Sequence, residues 1–296
     1  MIEGIFAASI TPYDSSGGPD MEQLARHLAH LARMGCHGAL LCGTTGEGPS
    51  LDVAERTAIF HAAGRANRHG LILLAGTGAV SLSDAINLTR AAYDAGMAGT
   101  VILPPFFFRD APEQGLFDFY AMLIRRAVPA DGRVLLYNNP SVSGVPLSVE
   151  LVRRLRDAFP QQVGGIKDST GDLAVAQAFC RDLEGFAVLV GSDRLLSSAL
   201  AAGCAGAITA MANRLGDRLH AVYAAHQAGS PTTALQEGLE MAIAPFNGLP
   251  RIAALKYALR RQGVIENDAV RPPLLPLSSS QRALLDSRLD AADRQP

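Results

Sequence analysis

Residues 187–209 read AVLVGSDRLLSSALAAGCAGAIT. An apolar run, Ala187–Gly191, leads through a polar turn and a short helical pattern to Gly203 and a second apolar run, Gly206–Thr209. Neither run alternates apolar with polar residues, which predicts strands buried on both faces, as in a parallel sheet. Gly203 stands where a helix hands over to the next strand and a left-handed backbone is needed. The same unit recurs along the chain. Further strands are predicted at Ile5–Thr11, Gly38–Cys42, Leu71–Ala75, Gly99–Leu103, Val134–Asn138 and Gly164–Lys167. Amphipathic helices lie between them. Asp20–Met34 carries Leu24, Leu28 and Leu31 on one face, and Asp84–Ala95 follows a Ser-Leu-Ser start. Gly35, Gly70, Gly96 and Gly185 repeat the role of Gly203.

Eight strands with eight crossovers are the count for a closed barrel, although a doubly wound open sheet shares the alternation. The expected fold class is α/β, a TIM (β/α)8 barrel with a C-terminal helical extension. The eighth helix should end near Gly229, and three more helical patterns follow at Thr232–Ala244, Pro250–Gln262 and Ser278–Ala292. The expected units are therefore the barrel, residues 1–229, and a packed three-helix extension, residues 230–296.

Composition excludes several classes of function. With 48% apolar and 18% charged residues the chain can bury a large core, and it is not a disordered chain. A net charge of -2 with scattered basic residues builds no stripe for nucleic acid. The opening MIEGIFAASITPYD lacks the features of a signal peptide, and no apolar run approaches the ~18 residues of a membrane span. A cytoplasmic protein is expected. Cys36, Cys42, Cys180 and Cys204 lack C-x-x-C spacing and read as reduced, buried thiols. The seven histidines form no cluster at strand ends, so no metal site is expected; His27 and His30 read as solvent-facing neighbours on one helix. No dinucleotide fingerprint, P-loop or G-x-S-x-G elbow occurs, and no cofactor is expected.

In a barrel, catalytic groups come from the C-terminal ends of the strands. Those positions hold Gly43-Thr44-Thr45-Gly46-Glu47-Gly48, Tyr137-Asn138-Asn139-Pro140, Gly165-Ile166-Lys167-Asp168-Ser169 and Gly191-Ser192-Asp193. Lys167 is one of two lysines against 24 arginines. A desolvated lysine amine at a strand tip is suited to adding to a ketone and forming an iminium electron sink. The competing structural role is a buried ion pair with Asp168 or Asp193. Tyr137, one strand away, is placed to shuttle protons, or merely to pack. The Thr44–Thr45 loop offers hydroxyls and N–H donors to a carboxylate, where a generic turn is the plain alternative.

Together, Ile10-Thr11-Pro12, Gly43–Glu47, Gly76-Thr77-Gly78, Tyr137-Asn138-x-Pro140, Gly165–Asp168, Gly191–Asp193 and Arg271-Pro-Pro-Leu-Leu-Pro resemble the dihydrodipicolinate synthase / N-acetylneuraminate lyase family. The pieces run in the family's order across essentially the whole chain. The resemblance implies a Schiff-base lyase acting on pyruvate or another 2-oxo acid, assembled as a homotetramer, a dimer of dimers. It implies catalytic roles for Lys167 as imine-forming amine, Tyr137 as proton relay and Thr45 beside them. Thr44, Thr45, Gly191 and the carbonyl of Ile208 are then expected to touch the oxo acid.

Two positions depart from the family's lysine-pathway synthases. Val142 replaces an arginine that grips the aldehyde's carboxylate, and Phe107 replaces a tyrosine shared across a subunit interface. Phenylalanine relays no proton. Residues 46–51 and Gly191–Asp193 look more like the 2-keto-3-deoxy sugar acid aldolases. An aldolase is therefore expected. A synthase using another cation such as Arg109, a dehydratase, and a 2-oxo-acid-sensing barrel remain as rivals.

Overall fold

The computed structural model describes residues 2–67, 69–292 and 294. The expected unit limits at Met1 and Pro296 lie outside the described residues. Eight parallel strands close into a barrel in sequence order: β1 Gly4–Ala8, β2 Gly38–Leu41, β3 Ile72–Gly76, β4 Gly99–Ile102, β5 Val134–Asn138, β6 Val163–Asp168, β7 Ala187–Val190 and β8 Gly206–Thr209. Around it run α1 Met21–Arg33, α2 Val53–Ala66, α3 Leu82–Asp94, α4 Glu113–Ala127, the short α5 Pro140–Ser143, α6 Val149–Ala158, α7 Leu173–Asp182, α8 Leu196–Ala201 and α9 Ala212–Gln227. Three helices follow: α10 Thr233–Ile243, α11 Arg251–Arg261 and α12 Ser279–Ala292. The open-sheet alternative is thereby excluded.

Side chains along each strand alternate between two apolar layers, which is why the strands read as continuous apolar runs. Phe6, Leu40, Leu74, Val101, Leu135, Leu189 and Ile208 fill the barrel interior. Their neighbours, among them Ile5, Ala39, Leu73, Ile102, Leu136 and Val188, pack outward under the helices. The same alternation turns Tyr137 inward, while Asn138 lies behind the sheet bonded to Asp168 at 2.8 Å. The glycines expected after helices, Gly35, Gly70, Gly96, Gly185 and Gly203, all have positive φ. Asp20 caps α1 by accepting from Glu22 and Gln23 N–H groups, and Ser81 caps α3 through Asp84 N–H.

The histidine expectation is corrected by the core. His27 is fully buried, not solvent-facing, because it falls in the same stripe as Leu24, Leu28 and Leu31. Its Nε2 lies 2.8 Å from Asn213 Oδ1, which also accepts from Ile10 N–H at 3.1 Å. Asn213 Nδ2 in turn donates to the carbonyls of Ala8 and Ala210 at 2.8 and 2.7 Å. Since Oδ1 only accepts, Nε2 carries the imidazole proton. This knot ties α1 to the ends of β1 and β8 beneath the barrel mouth. Of the four cysteines, Cys180 is only half-buried; all four are free thiols.

Burial pushes the His27 imidazole from 6.5 down to about 4, against the hydrogen bond that it donates to Asn213 Oδ1. The folded state thus holds His27 neutral where the unfolded chain binds a proton. Its contribution to stability is complete above pH 6.5 and is lost as pH falls toward 4. The loss amounts to about 3 kcal/mol. Denaturant melts at pH 7.5 and pH 4.5 should show a steeper fall for the native chain than for His27→Gln. Equal falls would remove His27 from the account.

Candidate active site

Parallel pairing of β5 with β6 sets Tyr137 opposite Lys167. Both side chains point into the mouth of the barrel, and Lys167 Nζ lies 4.3 Å from the centre of the Tyr137 ring. Lys167 is buried and forms no salt bridge among the described residues. Asp168, one residue on, faces the other side of the sheet, where it accepts from Asn138 Nδ2 and from Thr170 Oγ1 at 2.7 Å. The alternation of the strand therefore denies Lys167 its nearest carboxylate. The chain's buried lysine–carboxylate pair belongs to Lys256 and Glu47.

Around the phenol the polar groups converge. Asn139 Nδ2 donates to Tyr137 Oη at 3.0 Å, and the Ser141 hydroxyl donates to Asn139 Oδ1 at 2.8 Å, which fixes the amide's orientation. The hydroxyls of Ser169 and Thr44 also favour the ionised phenol. Burial pushes Tyr137 up, but the charge of Lys167 and these hydrogen bonds outweigh it and bring the phenol down to about 8. A phenol poised there can both give and take a proton near neutral pH.

A cavity of about 650 Å³ opens above the pair. Thr44, Thr45, Tyr137, Lys167, Gly191 and Ile208, named separately in the sequence, all line it. Among the described residues the N–H groups of Thr44 and Thr45 carry no hydrogen bond, which leaves donors for a carboxylate. The Gly191 N–H is committed to the Asp168 carbonyl at 2.6 Å. A Cβ there would sit 1.9 Å from Ser169 Oγ, so glycine lets the loops after β6 and β7 approach each other beside the phenol.

Several lining residues were not singled out from sequence. Asn139, which donates to the phenol, and Ser169, whose hydroxyl helps to lower it, both line the cavity. Arg251, from α11, and Asp193 line the far side of the cavity. Burial pushes the Asp193 carboxyl up to about 6, against the Thr209 hydroxyl and the charge of Arg251. Val142 is on the wall. Arg109 packs over Gly144, where an added Cβ would meet its Cδ at 2.6 Å, and is not part of this cavity's lining. Phe107 stands 72% exposed on the loop after β4.

The dihydrodipicolinate synthetase family model matches residues 1–292. The chain belongs to that family. An "uncharacterized DapA-like lyase" of Chloroflexus aurantiacus is 39% identical over 283 residues, covering 95% of this chain and 94% of that protein. The 4-hydroxy-tetrahydrodipicolinate synthase of Sorangium cellulosum is 33% identical, covering 95% and 93%. Among solved structures, YagE from E. coli K12, a dihydrodipicolinic acid synthase family protein in complex with pyruvate, superposes with a TM-score of 0.92. It is 26% identical, and 99% of each chain is covered. This family member is thus a class I lyase, an enzyme of pyruvate-dependent lyase and aldolase chemistry.

A spectrophotometric titration should find one tyrosine ionising near pH 8, absent from Tyr137→Phe. Lys167→Ala removes the ammonium and keeps most of the burial. The Tyr137 phenol should then titrate well above 8, toward or beyond its ordinary value of 10. A phenol still near 8 in that variant would mean that the hydrogen bonds alone lower it.

Proposed function

We propose that the chain catalyses reversible aldol cleavage of a 2-keto-3-deoxy sugar acid through an imine on Lys167. The observation that carries the reading is a buried, salt-bridge-free Lys167 amine against the Tyr137 phenol, in a cavity walled by Val142. The neutral amine adds to the C2 carbonyl and water leaves, forming the iminium. Tyr137 takes the C4 hydroxyl proton as the C3–C4 bond breaks; the electron pair moves into the iminium and leaves an enamine and an aldehyde. Protonation at C3 and hydrolysis release pyruvate and restore the amine. Thr45 and Thr44 hold the carboxylate and align the phenol. The Ile208 carbonyl and Gly191 bound the space around the oxo acid.

Val142 offers no charge to a second carboxylate, and a carboxylate desolvated without a partner is costly. That favours neutral, hydroxylated aldehydes over aspartate semialdehyde. One observation supports the second reading, a 4-hydroxy-tetrahydrodipicolinate synthase: Arg251 lines the same cavity and supplies a cation. The proposal extends to a cytoplasmic homotetramer, a dimer of dimers, with a barrel unit of residues 1–229 and an extension of residues 230–296. No helix among the described residues is long and apolar enough to cross a membrane. The exposed Phe107 and Phe108 give a second copy an apolar surface to cover.

Borohydride added with pyruvate should leave a covalent adduct on Lys167, absent from Lys167→Ala; an unmodified mass in the folded native protein would sink the imine. For specificity, kcat/KM should be higher for 2-keto-3-deoxy acids than for condensation with aspartate semialdehyde. Val142→Arg should shift the ratio toward the charged aldehyde. A native preference for aspartate semialdehyde would instead establish the synthase reading. Tyr137→Phe should lower turnover ~10²–10⁴-fold with the fold retained.

A further inference from the structure

The Thr44–Thr45 loop is held from below by a buried charge pair that the proposed chemistry does not use. Glu47 closes the loop in a left-handed conformation, φ 56°, unusual for a residue with a side chain. Its carboxylate is 2% exposed as a residue and fully engaged. Oε1 accepts from Lys256 Nζ at 2.5 Å, and Oε2 accepts from the Arg271 N–H at 2.8 Å. Lys256, on α11, also donates to the Ala269 carbonyl at 2.8 Å and lies 4.0 Å over the Tyr13 ring. Within the loop, Glu47 N–H donates to Thr44 O at 3.1 Å and Gly48 N–H to Gly43 O at 3.0 Å. Thr11 Oγ1 donates to Gly46 O at 2.6 Å. A Cβ on Gly48 would sit 2.1 Å from the Cys42 carbonyl, so the loop has little room to choose another path.

We propose that the Lys256–Glu47 pair is a latch by which the C-terminal extension positions Thr44 and Thr45 against Tyr137. Lys256 and Glu47 are positioning residues: neither lines the cavity, and both act through the hydroxyls and N–H groups of the loop. The inference rests on the reading of that cavity as the pyruvate site. Two charges buried together are a poor source of stability compared with a neutral pair of similar volume. Their geometry is nonetheless directional, and it sets a loop whose hydroxyl must meet one phenol.

The test replaces the charges without leaving one buried alone. In Glu47→Gln/Lys256→Met the pair is neutral, and pyruvate with borohydride is the probe. Imine trapping at Lys167 should slow about 10- to 100-fold through misplacement of the loop. The Tyr137 phenol should titrate higher than in the native protein as the Thr44 hydroxyl withdraws. Native trapping rates with an unmoved phenol, whatever the melting temperature, would overturn the latch and leave a structural tie. If that double variant does not fold, Glu47→Gln/Lys256→Gln, which keeps polar groups at both positions and buries no charge, is read by the same two measurements. Failure of the native protein to trap pyruvate at all would overturn the reading of the cavity instead.

Discussion

Closure of the barrel happens at a seam where Gly4 of β1 pairs with Gly206 of β8. A Cβ on Gly206 would lie 2.0 Å from the Gly4 carbonyl, and one on Gly4 would lie 2.5 Å from the His37 ring. Both residues also have positive φ, which side chains resist. The seam lets the last strand approach the first and turns an alternating chain into a ring. From it follows the register that brings Ile208 alongside Phe6 and completes the wall facing Lys167 and Tyr137. A ring has one mouth, so residues far apart in sequence meet over a single cavity.

The two lysines show how position decides the fate of an amine. Both are buried, and both lie over a tyrosine ring, at 4.3 Å for Lys167 and 4.0 Å for Lys256. Lys256 meets a carboxylate and a carbonyl, which take its hydrogen bonds, while burial pushes its amine below the ordinary lysine range. Lys167 meets hydroxyls and a phenol around an open cavity. The ion-paired role that the sequence left open for Lys167 is filled by its only counterpart. The family and the fold are established without this contrast, but the contrast is what recommends Lys167 for covalent chemistry.

Local pattern carried the barrel. The β5 and β8 limits read from apolar runs coincide with the observed strands. β1 was read too long, to Thr11. After Ser9 the Ile10 N–H turns to Asn213 Oδ1, so pairing with β2 ends although the residues stay buried. Lys167 and Tyr137 were legible because strand tips are a short list of positions. Partners brought in by the returning chain were not legible: Glu47 and Lys256 are 209 residues apart, and His27 and Asn213 are 186 apart. His27 alone had a usable local signal, its place three residues after Leu24 in the buried stripe.

Tyr137 stands between two unlike spaces. Besides the polar cavity over Lys167, it lines a second of about 680 Å³ with Thr44 and Val142, walled by Leu40, Val80, Val101, Leu103 and Phe106. The hydroxyls and amide that lower its phenol, from Thr44, Ser169 and Asn139, all line the polar cavity, and of these only Thr44 also lines the second one. Val142, on both walls, keeps charge away from this partition, where the arginine of the synthases would place one. An uncharged neighbour leaves the field of Lys167 as the dominant charge on the phenol. Imine formation leaves a cationic iminium in that place, so the proposed chemistry keeps a positive charge beside the phenol up to the bond-breaking step.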